Sequence, residues 1–244
     1  MCKFLKILKM NKQIVLVFLF FSSFAFSQKN WFKAYTDKDA LAKDGVEVGN
    51  QFIADAQKLI PNLKDNPQII VNTTPFLVYY DGKEKTVNLP FWDEVIPQNQ
   101  EYFEKITGNA KDGKKLFGLM FNGFYLPHEL GHWLSFEKSG NIGSYQDEYL
   151  ANTIAILWWK KQGKSKELKS IYKTLKKIMK TYPNPVPKGE NVEKYFTDNY
   201  VKILTDQENA AMIYGFMQFS QFIKIYEDHS LPDFDTFIQK EFKK

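Results

Sequence analysis

The stretch on which the reading of this chain turns is Leu126-Pro127-His128-Glu129-Leu130-Gly131-His132, followed closely by Ser144-Tyr145-Gln146-Asp147-Glu148-Tyr149-Leu150-Ala151-Asn152. His128 and His132 are four residues apart, so on a helix they share one face, one turn from each other. At that spacing two imidazoles can converge on one ion at the roughly 2.0–2.1 Å of a Zn–N bond. Glu129 is rotated by about 100° from His128 and can reach a water beside such an ion. The chain has only 3 histidines, and two of them are spent here. Zn2+ is the expected cofactor, with His128 and His132 as ligands.

Catalytic zinc usually takes three protein ligands and leaves one position to water. The single cysteine, Cys2, lies at the extreme N-terminus, and His229 is the only histidine left, so a carboxylate is the natural third ligand. Ser144 and Asp147 have capping-box spacing, which gives Asp147 a structural task at a helix start. Glu148 has no such task, and the helix it opens is apolar nearly all round, hence buried. A carboxylate pointed into those surroundings needs a cation or strong donors to offset its desolvation. Glu148 is the expected third ligand and Asp147 the alternative.

A His-Glu-x-x-His helix followed by a second helix carrying Glu-x-x-x-polar resembles the gluzincin division of the zinc metallopeptidases, and small bacterial exported zincins with Glu-x-x-Ala-Asn are closer still. The resemblance covers 124–160. It implies a zincin-like α+β fold, a small N-terminal sheet with an edge strand packed on a mainly helical remainder. It also implies peptide-bond hydrolysis by a zinc-activated water with Glu129 as general base, a peptide or protein as substrate, and a residue at 152 that orients a ligand histidine. The best-known members have Asp there; Asn152 can hold an imidazole but lends it no negative charge. For the oxyanion donor the candidates are Tyr214, on a helix expected over 206–228 with Gln218 and Gln221 at helical spacing, and His229, just past that helix. The strand at 85–91 takes the place of the zincin edge strand, able to align an extended peptide. A catalytically silent zincin scaffold, acting as a metal-dependent peptide- or protein-binding module, is the alternative function.

Pro127 stands directly before His128. In a helix interior it would remove a hydrogen bond, whereas in a first turn it is welcome. The expectation is that Asn122-Gly123 ends one helix and the metal helix starts near Leu126, with its positive dipole end close to His128. A proline-kinked continuous helix would instead endanger convergence of the two imidazoles.

Upstream, residues 1–27 carry Lys3, Lys6, Lys9 and Lys12 and no acid, then the apolar run 14–21, then small residues at Ala25 and Ser27. This reads as a secretory signal cleaved before Gln28, with Met10 an alternative start. The apolar run is shorter than the roughly 20 residues that span a bilayer, so no stable membrane anchor remains after cleavage. The expected protein is exported, periplasmic or secreted, with 28–244 as one zincin-like domain. The net charge of +5 falls to near +1 once those four lysines leave. All 33 basic residues are lysine, so the bidentate arginine forks that read phosphates and base edges are absent and no nucleic-acid partner is expected. With Cys2 in the leader, cysteine nucleophiles, thiolate ligands and disulfides leave the mature chain's repertoire.

An amphipathic helix is expected over 37–63, although Gly45 and Gly49 count against it. Strands follow at 68–72, 76–80 and 85–91, the last two joined through Asp81-Gly82 as a hairpin. Pro90 marks the last as an edge. Helices are expected near 98–107, 112–122, 126–138, 145–162, 165–181, 192–203 and 206–228, with Pro183-Asn184-Pro185-Val186-Pro187 as an extended loop. The nine lysines between Lys160 and Lys180 read as a solvated helix face. No separate propeptide is apparent, although residues 28–65 could play that role.

Overall fold

Asp37 opens the first helix, its carboxylate accepting the backbone N–H groups of Asp39 and Ala40. This helix, α1 (Lys38–Leu59), stops at Ile60, just ahead of Pro61. The computed structural model describes residues 31–140, 143–206 and 209–242; the leader read over 1–27 lies outside them. Gly45 and Gly49, which weaken α1 as a helix, are what let it lie on the sheet. A Cβ at Gly45 would stand 2.8 Å from Leu89 Cδ1, and one at Gly49 would stand 2.6 Å from Ile69 Cγ1. Close approach outweighs the propensity cost of about 1 kcal/mol per glycine.

The sheet has three strands, β1 (Gln68–Val71), β2 (Tyr79–Asp81) and β3 (Thr86–Leu89), in the order β1-β3-β2. β1 runs parallel to β3, with Ile69 opposite Val87, and β2 runs antiparallel to it, with Tyr80 opposite Val87. The hairpin is present, its turn held by Asp81, whose carboxylate accepts the N–H groups of Lys83 and Glu84. The edge-strand expectation is overturned: β3 is central and the edges are β1 and β2. Pro90 sits one residue past the ladder, where its missing N–H removes no bond. The second strand starts late because Leu77 takes a left-handed conformation (φ 62°) and turns the chain first.

The remainder is helical: α2 (Pro97–Thr107), α3 (Ala110–Phe117), α4 (Tyr125–Ser139), α5 (Tyr145–Lys161), α6 (Ser165–Ile178), α7 (Val192–Thr205), α8 (Ala210–Glu227) and α9 (Phe234–Phe242). The last is not expected from the reading above, yet Phe234, Ile238 and Phe242 recur at four-residue spacing and bury one face. On α6, Leu168, Ile171, Leu175 and Ile178 turn inward and the lysines line the outer face. Trp31, Phe32, Tyr35, Leu41, Phe52 and Ile53 share one core with Trp158 and Trp159, so 31–59 packs into the same core as the helical remainder. A smaller cluster of Tyr145, Val186, Phe196, Ile203 and Met217 fastens α7 to α5 and α8. Among the described residues no helix is long and apolar enough to cross a membrane.

Between α3 and α4 the chain does not break. Gly118–Phe124 winds as a wider π-helical segment, and Tyr125 N–H closes on Met120 O, five residues back. Phe124 and Tyr125 both keep right-handed helical dihedrals. The metal helix therefore does not begin near Leu126, and no dipole end lies at His128. Pro127 sits inside a continuous helical run, and the widened turn makes room for its ring. The carbonyl that Pro127 leaves without a partner, that of Gly123, accepts the buried indole Nε1–H of Trp31 over 2.9 Å.

Candidate metal centre

α4 and α5 carry the site and pack closely where Gly131 meets Ala151. A Cβ at Gly131 would lie 3.0 Å from Ala151 Cα, so glycine between the two histidines lets the helices approach. His128 and His132 bring their Nε2 atoms to 3.1 Å from each other. Glu148 Oε2 stands 3.2 Å from the first and 3.5 Å from the second. Four ligands set tetrahedrally at about 2.05 Å from an ion are about 3.4 Å apart, so this triangle fits a zinc-sized ion. His128, His132 and Glu148, all buried, are the one His/Cys/Asp/Glu group of such closeness among the described residues, and they could hold a metal ion.

The other ring nitrogens fix the tautomers. His128 Nδ1 lies 2.9 Å from Asn152 Oδ1, and His132 Nδ1 lies 2.8 Å from Asp147 Oδ2. Both acceptors favour a proton on Nδ1, so Nε2 is the atom that each ring turns to the triangle. Asn152 thus orients the His128 imidazole. Ser144 caps the helix, its Oγ accepting the Asp147 backbone N–H; the Asp147 carboxylate accepts the Gly143 N–H and has a second task, on the His132 ring, that spacing did not reveal. Adjacent on one helix, Asp147 meets the back of the His132 ring while Glu148 meets its front.

Glu148 is held from several sides. Its Oε1 accepts the phenols of Tyr200 (2.6 Å) and Tyr214 (2.8 Å), and its Oε2 accepts the Gln218 amide (2.6 Å). Burial alone would raise its pKa, but His132 and His128 beside it hold the carboxyl well below the usual range. Burial likewise opposes a charge on His132, yet Glu148 and Asp147 outweigh it and hold that imidazole well above its ordinary value. For Glu129 burial wins: its pKa is raised, with Glu148 adding to the effect and the two histidines offsetting part of it.

Glu129 Oε2 accepts the backbone N–H of Tyr80 over 2.9 Å, which ties the carboxylate to β2. Its Oε1 faces the triad, 4.0 Å from His128 Nε2. The edge strand beside the site is therefore β2, not 85–91. Tyr214 reaches the site, but its proton is committed to Glu148; burial and that carboxylate keep the phenol well above its ordinary pKa. His229 does not reach it. It is exposed, beyond the end of α8 and more than two helical turns past Gln218, beside Glu227 and Asp228.

Tyr200 and the Tyr80 N–H have no counterpart in the sequence reading. Gln218 and Gln221 were visible there as polar residues three apart on an apolar helix, a signal of buried polar partners that pointed to no particular one. None of His128, Glu129, His132 and Glu148 exposes more than 6% of its surface. Compared with protein-family models, curated proteins and solved structures, the chain returns no match.

Proposed function

We propose that this chain is an exported zinc-dependent peptidase of the zincin type, with His128, His132 and Glu148 as ligands and Glu129 as general base. One observation carries the reading: three donor atoms converge within 3.1–3.5 Å of one another beside a carboxylate that is tied to an edge strand. A zinc ion there would supply Lewis acidity, lowering the pKa of a water to about 7 and polarising a scissile carbonyl. Since Tyr80 engages Oε2 of Glu129, Oε1 is the atom that accepts the attacking water's proton and returns it to the leaving amine. Burial raises the proton affinity of Glu129, which favours its taking up that proton. β2 runs beside Glu129 as a strand paired on one side only, which favours an extended peptide laid along it. The basic-then-apolar leader supports substrates outside the cytoplasm.

The test is elemental analysis of the purified protein beside His128→Ala and Glu148→Ala, with peptide turnover by wild type against Glu129→Gln. The expected result is one zinc per chain, lost in both ligand variants, and hydrolysis that falls by about 10²–10⁴ in Glu129→Gln while zinc is retained. No metal in the wild type after zinc reconstitution would overturn the reading.

A second reading, a metal-dependent peptide- or protein-binding scaffold without turnover, is favoured by the near-complete burial of the four site residues and by the two phenols lying on Glu148. Stoichiometric zinc with no turnover across a mixed peptide library decides for it.

A further inference from the structure

Asn152 and Gln218 complete a closed circuit between two of the proposed ligands. Asn152 Oδ1 accepts from His128 Nδ1, and its amide Nδ2 donates to Gln218 Oε1 (2.8 Å) and to Gln221 Oε1 (2.9 Å). Gln218 Nε2 in turn donates to Glu148 Oε2, the oxygen that faces His128. Each amide is read at both ends, so neither can flip without losing a bond at each. Asn152, Gln218 and Gln221 are all at least nine-tenths buried, so water does not replace what a flip would lose.

The Gln221 amide is set independently, because its Nε2 donates to the Tyr145 carbonyl over 3.0 Å. Two carbonyl oxygens therefore converge on residue 152, and they require two N–H groups from it. An amide supplies them and a carboxylate does not. This accounts for Asn at a position where the resembling family's best-known members carry Asp.

We infer that Gln218 is a positioning residue that couples His128 to Glu148: it shares with Gln221 the hold on Asn152, the partner of His128, and it alone presents Glu148 Oε2, rather than Oε1, to the metal. This rests on the metal-site reading above. The two phenols on Oε1 reinforce the choice, so Glu148 binds through one oxygen and leaves a position free. Gln221 holds Asn152 as Gln218 does but donates to the Tyr145 carbonyl instead of Glu148, which makes it the control for the Glu148 bond.

Three measurements on the full-length mature protein test this: zinc affinity by chelator competition, the visible spectrum of the Co2+-loaded protein, and the His128 tautomer by nitrogen NMR of the metal-free protein. Gln218→Met removes both bonds; Gln218→Asn keeps an amide too short to bridge and serves where Met does not fold. Both are expected to bind zinc about 10–100-fold more weakly than wild type, with Gln221→Met within about threefold. The Co2+ spectrum shifts in the Gln218 variants alone, whereas the His128 Nε2–H tautomer becomes populated only in the Gln218→Met/Gln221→Met double variant, because either glutamine by itself still holds Asn152. Wild-type affinity together with an unchanged Co2+ spectrum in Gln218→Asn would overturn the inference. Should wild type itself take up no zinc, the metal-site reading falls, and the metal-free tautomer of the double variant alone decides whether the two amides orient His128 through Asn152.

Discussion

The indole of Trp31 donates to the carbonyl of Gly123 across 92 residues of sequence, at a carbonyl that Pro127, four residues on, cannot serve. Pro127 has no N–H to return to that carbonyl, and an unpaired buried carbonyl costs about 1–3 kcal/mol. Trp31→Phe is therefore expected to lower unfolding free energy by that amount in denaturant titrations. In a Pro127→Ala background the restored N–H can take the Gly123 oxygen, and the loss from Trp31→Phe shrinks. Equal losses in both backgrounds would show that the indole acts by packing alone.

Gly131 sets two effects against each other. Alanine gains about 1 kcal/mol of helix propensity, while overpacking against the Ala151 backbone costs about 1–3 kcal/mol. With a Cβ only 3.0 Å from Ala151 Cα, overpacking wins. Gly131→Ala is expected to be less stable and to bind zinc more weakly, because α4 and α5 hold different ligands and are pushed apart. A more stable variant with unchanged affinity would count against this packing argument.

Asn152→Asp would improve the His128 partner by charge alone. Facing the oxygens of Gln218 and Gln221, however, the new carboxylate is buried among acceptors. The expected outcome is a loss of at least about 2 kcal/mol in the stability of the metal-free protein at pH 7. Thermal unfolding of the chelator-treated variant reads this directly, and a stabilised variant would refute it.

Tyr214 can serve as an oxyanion donor or as a support for Glu148, and Tyr214→Phe separates the two. Its hydroxyl lies 2.8 Å from Glu148 Oε1, so the expected effect is weaker zinc binding, with turnover recovering as zinc is raised. Lost turnover at full zinc occupancy, with unchanged affinity, would restore the oxyanion role.

Protons and metal compete for the same nitrogens. In the metal-free protein Glu148 and Asp147 hold His132 in its charged form, so metal uptake must expel that proton. Zinc affinity is accordingly expected to rise with pH until the His132 proton is gone, and to fall on acidification. Calorimetry at pH 7 in buffers of different ionisation enthalpy should report about one proton released per zinc. Uptake without proton release would mean that His132 is already neutral.

What the sequence determined by itself is local. The four-residue spacing of His128 and His132 and the capping turn at Ser144 that aims Glu148 inward are properties of single helices; periodicity settles which side chains share a face. The α+β character and most helix spans follow from the same periodicity. Tertiary structure decided what depends on the order of packing. It put β3 between β1 and β2, because ladder order is set by pairing across a sheet and not by one proline. It gave Asp147 to His132 and sent His229 to the far end of α8, because partners are chosen between elements. It brought Gln218 and Tyr200 onto Glu148 from 70 and 52 residues away. And it let Pro127 stand inside the metal helix, because a widened turn and a distant indole meet the two costs a proline imposes there, its ring's clash and its missing donor.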